Sequence, residues 1–263
     1  VSVSMVVLAK AEIPWPPTVD EGFFFDPVVG TGPWVTKFTI MLWIAIAALI
    51  VLFAVALRKP KIVPTKGQWI AESVMDFVRN GIGREIIGPK GDKFVPYLTV
   101  LFCFIAFMNV FGIIPLAQIS PMTHIAFPVV LAIISYVMYI FVGIQNSGPG
   151  KFFKNHLILP APWYLQPLLI PIEFFQNFIV RPVTLSVRLF ANMFAGHLIL
   201  LVFTLGGFVL INAGTAFTYG VSVFSFAMAI AMTLFEFFVA MLQAYIFVLL
   251  TGTWLQGALA DEH

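Results

Sequence analysis

Residues 168–205 read LLIPIEFFQNFIVRPVTLSVRLFANMFAGHLILLVFTL. Only Glu173, Arg181 and Arg188 carry a formal charge in this stretch. As a helix it would be about 55–60 Å long at 1.5 Å per residue, nearly twice the ~30 Å hydrocarbon core. The scarcity of charge extends beyond it. From Asn155 to Ala260, a span of 106 residues, the only further Asp, Glu, Lys or Arg is Glu236. Of all 263 residues, 60% are hydrophobic and 10% charged, and the mean hydropathy is +1.00. Soluble domains carry about a quarter charged residues. A soluble enzyme and a disordered chain are therefore both excluded. The 29 phenylalanines suit a lipid-facing protein. A single cysteine, Cys103, rules out a disulfide framework and a Cys-based metal site. A net charge of +2 gives no reason to expect nucleic acid.

The charge map divides the chain. An outer N-terminal segment (1–37) precedes a charge-free transmembrane helix (38–57). Met5–Ala9 is short and is followed by Lys10, which does not make a signal peptide. Residues 58–93 hold eight Lys/Arg and four Asp/Glu and are placed inside by the positive-inside rule. Within them Trp69, Ile70, Val74, Phe77 and Val78 predict an amphipathic helix at the inner interface. A transmembrane hairpin (94–147), an inner loop (148–167) with Lys151 and Lys154, and a long helical hairpin (168–263) follow. Gly206 and Gly207 predict the start of a soft link ending near Gly214. The expected architecture is all-α: five membrane segments, the last two strongly tilted as an antiparallel pair, with the N-terminus outside and the C-terminus inside.

Ionisable residues inside a bilayer are costly and mark function. Arg188 lies too deep to snorkel, so it is either a fixed cation facing a mobile anion or half of an ion pair with Glu236 or Glu173. Arg181, one heptad earlier, is expected to anchor at the inner interface. If the last two helices pack antiparallel, residues at equal depth have a nearly constant index sum. Arg188 with Gln243 gives 431, and His197 with Glu236 gives 433. One register therefore puts a glutamine beside the arginine and a His–Glu pair nearer the outer face. That pair reads as a proton relay or as a structural hydrogen bond. Glu173 and Asn177, at i and i+4, are candidates for an inward-opening passage, and His124 stands at the outer start of a helix. Asn192, with the small residues Ala191, Ala195 and Gly196, leaves a shallow polar face suited to a partner helix. No phosphate loop, serine elbow or metal-ligand spacing is present.

Three motifs carry a resemblance. Ser186-Val187-Arg188-Leu189-Phe190-Ala191-Asn192-Met193-Phe194-Ala195-Gly196-His197, Leu242-Gln243-Ala244-Tyr245-Ile246-Phe247 and Met108-Asn109-Val110-Phe111-Gly112-Ile113-Ile114-Pro115 closely resemble the signature of subunit a of F-type ATP synthases. The resemblance runs from about Gly67 onward. It implies the stator half of a proton turbine, itself non-catalytic and without a cofactor. Its partners would be a ring of c subunits bearing one membrane carboxylate each, b-type peripheral stalk subunits and the remaining synthase subunits. Arg188 matches the family's essential arginine, with Asn192 and Gln243 beside it. His197 and Glu236 take the outer half-channel positions, exchanged relative to many bacterial relatives. Glu173 matches the inner-channel glutamate with its spacing to Pro182 one residue off. His124 stands where the family often has Asp or Asn. The implied location is a bacterial plasma membrane, with the mitochondrial inner membrane as the alternative. A stand-alone proton-coupled transporter is the rival function. It would predict inverted repeats and broken helices around a substrate site. An intramembrane enzyme would require a nucleophile or metal constellation, and neither pattern is found in the sequence.

Overall fold

A computed structural model describes residues 36–57, 64–114, 120–157, 164–213 and 215–259. The N-terminal acidic residues, the link at 115–119 and the C-terminal Asp261 and Glu262 lie outside the described residues. "Inner" and "outer" below follow the orientation that the Lys/Arg distribution predicts.

Helix α1 (Lys37–Leu57) is the charge-free run together with Lys37, uninterrupted by Gly or Pro. Helix α2 (Lys66–Val78) starts where the Thr65 hydroxyl accepts the Gln68 amide, a side-chain N-cap. It passes into a π-helical stretch, Arg79–Ile87, and a 3-10 turn, Pro89–Lys93. Helix α3 (Val95–Val110) has Pro96 in its first turn, where a missing N–H costs nothing. A 3-10 turn at Pro121–Thr123 leads into α4 (Ala126–Ser147), which stops at Gly148 with φ 76°. Helix α5 (Pro149–Leu157) occupies part of what the sequence presents as an inner loop. Then α6 (Gln166–Phe175), a π turn (Gln176–Val180) and α7 (Arg181–Asn212) join into one helical rod of 47 residues. Helix α8 (Ala216–Leu259) has 44 residues.

The all-helical membrane architecture expected from sequence is what the structure shows. α1, α4, the α6–α7 rod and α8 are each long and apolar enough to cross a bilayer. The apolar α3, with 16 residues, spans only about 24 Å. At about 66 Å, α8 fits a ~30 Å slab only by lying obliquely or by running partly along the interface.

Core position follows from which half of α8 is covered. Its inner half buries Ala240, Gln243, Ala244, Phe247, Val248, Thr251, Trp254 and Leu255 among α3, α4, α7 and the 79–87 stretch. Ile82, Leu98, Ile105, Leu189 and Met193 fill that core. Outward of Glu236, α8 buries only Ser222 and Ser225, and both face α7. Phe217, Val223, Ile230 and Leu234 point away from the bundle, the exposure expected of lipid-facing residues. On α2, Trp69 and Ile70 are likewise exposed, whereas Phe77 also meets the rings of Phe102 and Tyr245 at 5.9 and 5.6 Å.

Gly206 and Gly207 correct the expectation of a soft link. Helix α7 runs through both, and both are buried. A methyl on Gly207 would stand 3.0 Å from the Phe226 ring, and Ser222 Oγ donates to the Gly207 carbonyl at 2.8 Å. The glycines let α8 approach closely and do not end the helix.

Candidate functional site

The hairpin of α7 and α8 brings the intramembrane polar residues together. Ser222 bonds Gly207, Ser225 bonds the Phe203 carbonyl at 2.7 Å, and Glu236 packs on Gly196. These pairs have index sums between 428 and 432, the antiparallel register that the polar residues alone predict.

His197 and Glu236 are both buried, 6% and 5% exposed, at the same level of facing helices. The absence of a side chain at Gly196 admits the Glu236 carboxyl. A methyl there would lie 3.3 Å from its Cδ and Oε1. Oε1 therefore abuts the α7 backbone, while buried Oε2 has no hydrogen-bond partner among the described residues. An imidazole and a carboxyl are thus both buried between the facing helices.

Arg188 lies on the exposed face of α7, in a stripe with Thr184, Ala191 and Ala195. It makes no hydrogen bond or ion pair among the described residues, so neither Glu173 nor Glu236 neutralises it. The same register brings Gln243 to its level, but Gln243 is buried and the two are not bonded. Asn192 is half-buried one turn further out. Towards the inner side, Asn177 Nδ2 donates to Glu173 Oε2 at 3.1 Å. The pair straddles the junction of α6 with the π turn. A π turn holds one residue more than an α turn between bonded groups.

Sequence reasoning missed some neighbours. Arg181 is half-buried at the start of α7, where it lines a cavity with Pro171, Gln176 and Thr184. At the outer end, His124 is exposed with its ring 5.9 Å from that of Phe38. The 121–123 turn packs against both α1 and α7 and ties this corner together. Asn109 Nδ2 donates to the Ala240 carbonyl at 3.1 Å, one turn from Glu236. Among the described residues no three His, Cys, Asp or Glu side chains cluster to hold a metal ion.

The sequence model of the ATP synthase A chain family matches residues 39–256. The chain belongs to this family. A subunit a of ATP synthase from Streptomyces lividans is 45% identical over 247 residues, covering 92% of this chain and 86% of that one. One from Frankia alni is 42% identical over 265 residues, covering 94% and 90%. One from Rhodococcus erythropolis is 38% identical over 268 residues, covering 100% and 96%. All the candidate residues from His124 to Gln243 fall inside the stretch matched by the ATP synthase A chain family, whereas Lys37 lies just outside it.

Proposed function

We propose that the chain is the proton-conducting membrane stator of an ATP synthase, acting in a bacterial plasma membrane with its N-terminus outside. It performs no chemistry on ATP. The observation that carries this reading is an arginine well inside an apolar helix, exposed on a stripe of small residues and without an anion among the described residues. An uncompensated guanidinium is stable there only if its anion comes from another chain. A carboxylate on each c subunit of a rotating ring supplies that anion. The small residues let the ring's helices approach, and b-type stalk subunits hold the stator still.

Protons arrive from outside at the buried His197–Glu236 pair, with His124 at the mouth. Imidazole and carboxyl each accept a proton on one side and release one on the other, so the pair works in either order. A ring carboxylate facing it is protonated, loses its charge and can move into lipid. After nearly a full turn it meets the inner passage, marked by Glu173 and Asn177, and gives up its proton. Arg188 favours the ionised carboxylate through its permanent charge and separates the two passages. Asn192 and Gln243 provide neutral hydrogen-bonding groups at its level.

The test is ATP-driven acidification of inverted vesicles, comparing the parent with Arg188→Ala at matched levels of assembled complex. Loss of pumping with assembly intact is expected. Undiminished pumping would return Arg188 to a structural role and refute the reading.

A further inference from the structure

Helix α6 adds nothing to the core. None of its ten residues is buried, and Leu168, Ile172, Phe174 and Phe175 are each between 48% and 65% exposed. Where α6 passes through the π turn into α7, the rod forms one side of a cavity of about 460 Å³. Every residue lining it lies between 171 and 184 of this one rod. Among the described residues no other helix supplies a wall, so the space faces whatever surrounds the chain.

The lining has two characters. Ile172, Phe175 and Val180 are apolar, whereas Arg181 and Gln176 bring a guanidinium and an amide. The Thr184 hydroxyl is engaged, since it donates to the Val180 carbonyl at 2.7 Å. No carboxylate ion-pairs with Arg181 among the described residues. Glu173, the nearest carboxylate in sequence, instead accepts from Asn177 at 3.1 Å, and Asn177 is only 4% exposed. A permanent cation thus stands beside an apolar wall.

The surroundings carry more positive charge. Helix α5 packs against α6 and is held to the bundle by Phe152, 2% exposed, with its ring 5.7 Å from that of Tyr139. Lys151 and Lys154 on this short helix are exposed. The Lys/Arg distribution puts this end of the rod at the inner face. The inner leaflet of a cell membrane is rich in anionic lipid, which basic segments attract.

We propose that this cavity binds an anionic phospholipid of the inner leaflet. The phosphodiester pairs with Arg181, Gln176 is a second donor, and an acyl chain covers Ile172, Phe175 and the bare face of α6. A guanidinium takes phosphate oxygens in a bidentate pair. A molecule with both an anion and a hydrocarbon tail matches both halves of the lining. A free anion leaves the apolar half uncovered, and a zwitterionic lipid brings a second cation towards Arg181 and the two lysines. Binding is a property of this surface and does not rest on the role proposed for Arg188.

The protein, extracted with its native subunits, is reconstituted in phosphatidylcholine vesicles holding a trace of phosphatidylglycerol with a photoreactive acyl chain. Labelled peptides are read by mass spectrometry. Label is expected within 166–184, about tenfold above that from phosphatidylcholine bearing the same chain, the scale of one charge-assisted bond. Arg181→Met should cut it to the phosphatidylcholine level, and Arg181→Lys should keep most of it. Ile172→Trp fills the apolar end without touching the charge and should cut labelling by about threefold or more. Inorganic phosphate should not compete. Equal labelling by the two lipids, or unchanged labelling in Arg181→Met, overturns the proposal. Should Arg181→Met fail to assemble, unchanged labelling in Ile172→Trp overturns it. Displacement by inorganic phosphate assigns the site to a free anion, and no label within 166–184 means that another subunit covers the cavity. Either result overturns lipid binding there.

Discussion

Gly196→Ala probes the tightest contact in the proposed uptake path. The added methyl would sit 3.3 Å from Glu236 Cδ and Oε1 and 3.4 Å from Cγ. Comfortable carbon contacts begin near 3.5 Å, so the carboxyl must retreat by roughly 0.2–0.5 Å. Replacing a helical glycine by alanine returns up to about 1 kcal/mol of propensity, which offsets the crowding. Folding and assembly should therefore stay close to parent. Function should not. A misplacement of about 1 Å can cost on the order of a hundredfold in rate, so a few tenths should cost about threefold to tenfold in proton uptake. Gly196→Val adds two further carbons against a buried carboxyl and should all but abolish uptake. The assay is the initial rate of ATP-driven acidification in inverted vesicles, normalised to assembled complex, with ATP hydrolysis followed in parallel. Parent rates in both variants would mean that Glu236 is not on the path, whatever its burial.

Other expectations concern the scaffold. A methyl on Gly143 would overlap the Phe152 ring, which is 2% exposed and backed by Tyr139. Gly143→Ala should destabilise by about 1–3 kcal/mol, seen as a lower thermal midpoint of the purified complex. An unchanged midpoint would mean that Phe152 does not pack there. Ser222→Ala with Ser225→Ala removes two hydrogen bonds between α7 and α8. Interhelical bonds in membranes average about 0.6 kcal/mol, so a combined loss near 1 kcal/mol is expected in detergent titration. No loss would show that packing alone holds the outer half of the hairpin.

The fold is legible in the sequence because lipid removes the ambiguity of a soluble surface: charge-free runs have only one place to go. The register of the hairpin is legible for a geometric reason. Two antiparallel helices of equal rise keep a constant index sum, and His197 with Glu236 supplies it. That sum specifies depth and leaves rotation open, which is why Arg188 and Gln243 share a level yet face differently. Gly206–Gly207 was misread because glycine marks a soft backbone and a close approach with the same letter; Phe226 and Ser222 decide between them.

The π turn at 176–180 has a consequence for how this chain can vary. Regular helix couples length to phase: each residue added on one side of a point rotates everything beyond it by about 100°. A π turn breaks that coupling. The inner flank can lose one residue, the π turn closing to an α turn, while the stripe of Thr184, Arg188, Ala191 and Ala195 keeps its bearing. The joint works as a vernier, and change on the inner flank need not be matched by change on the working face.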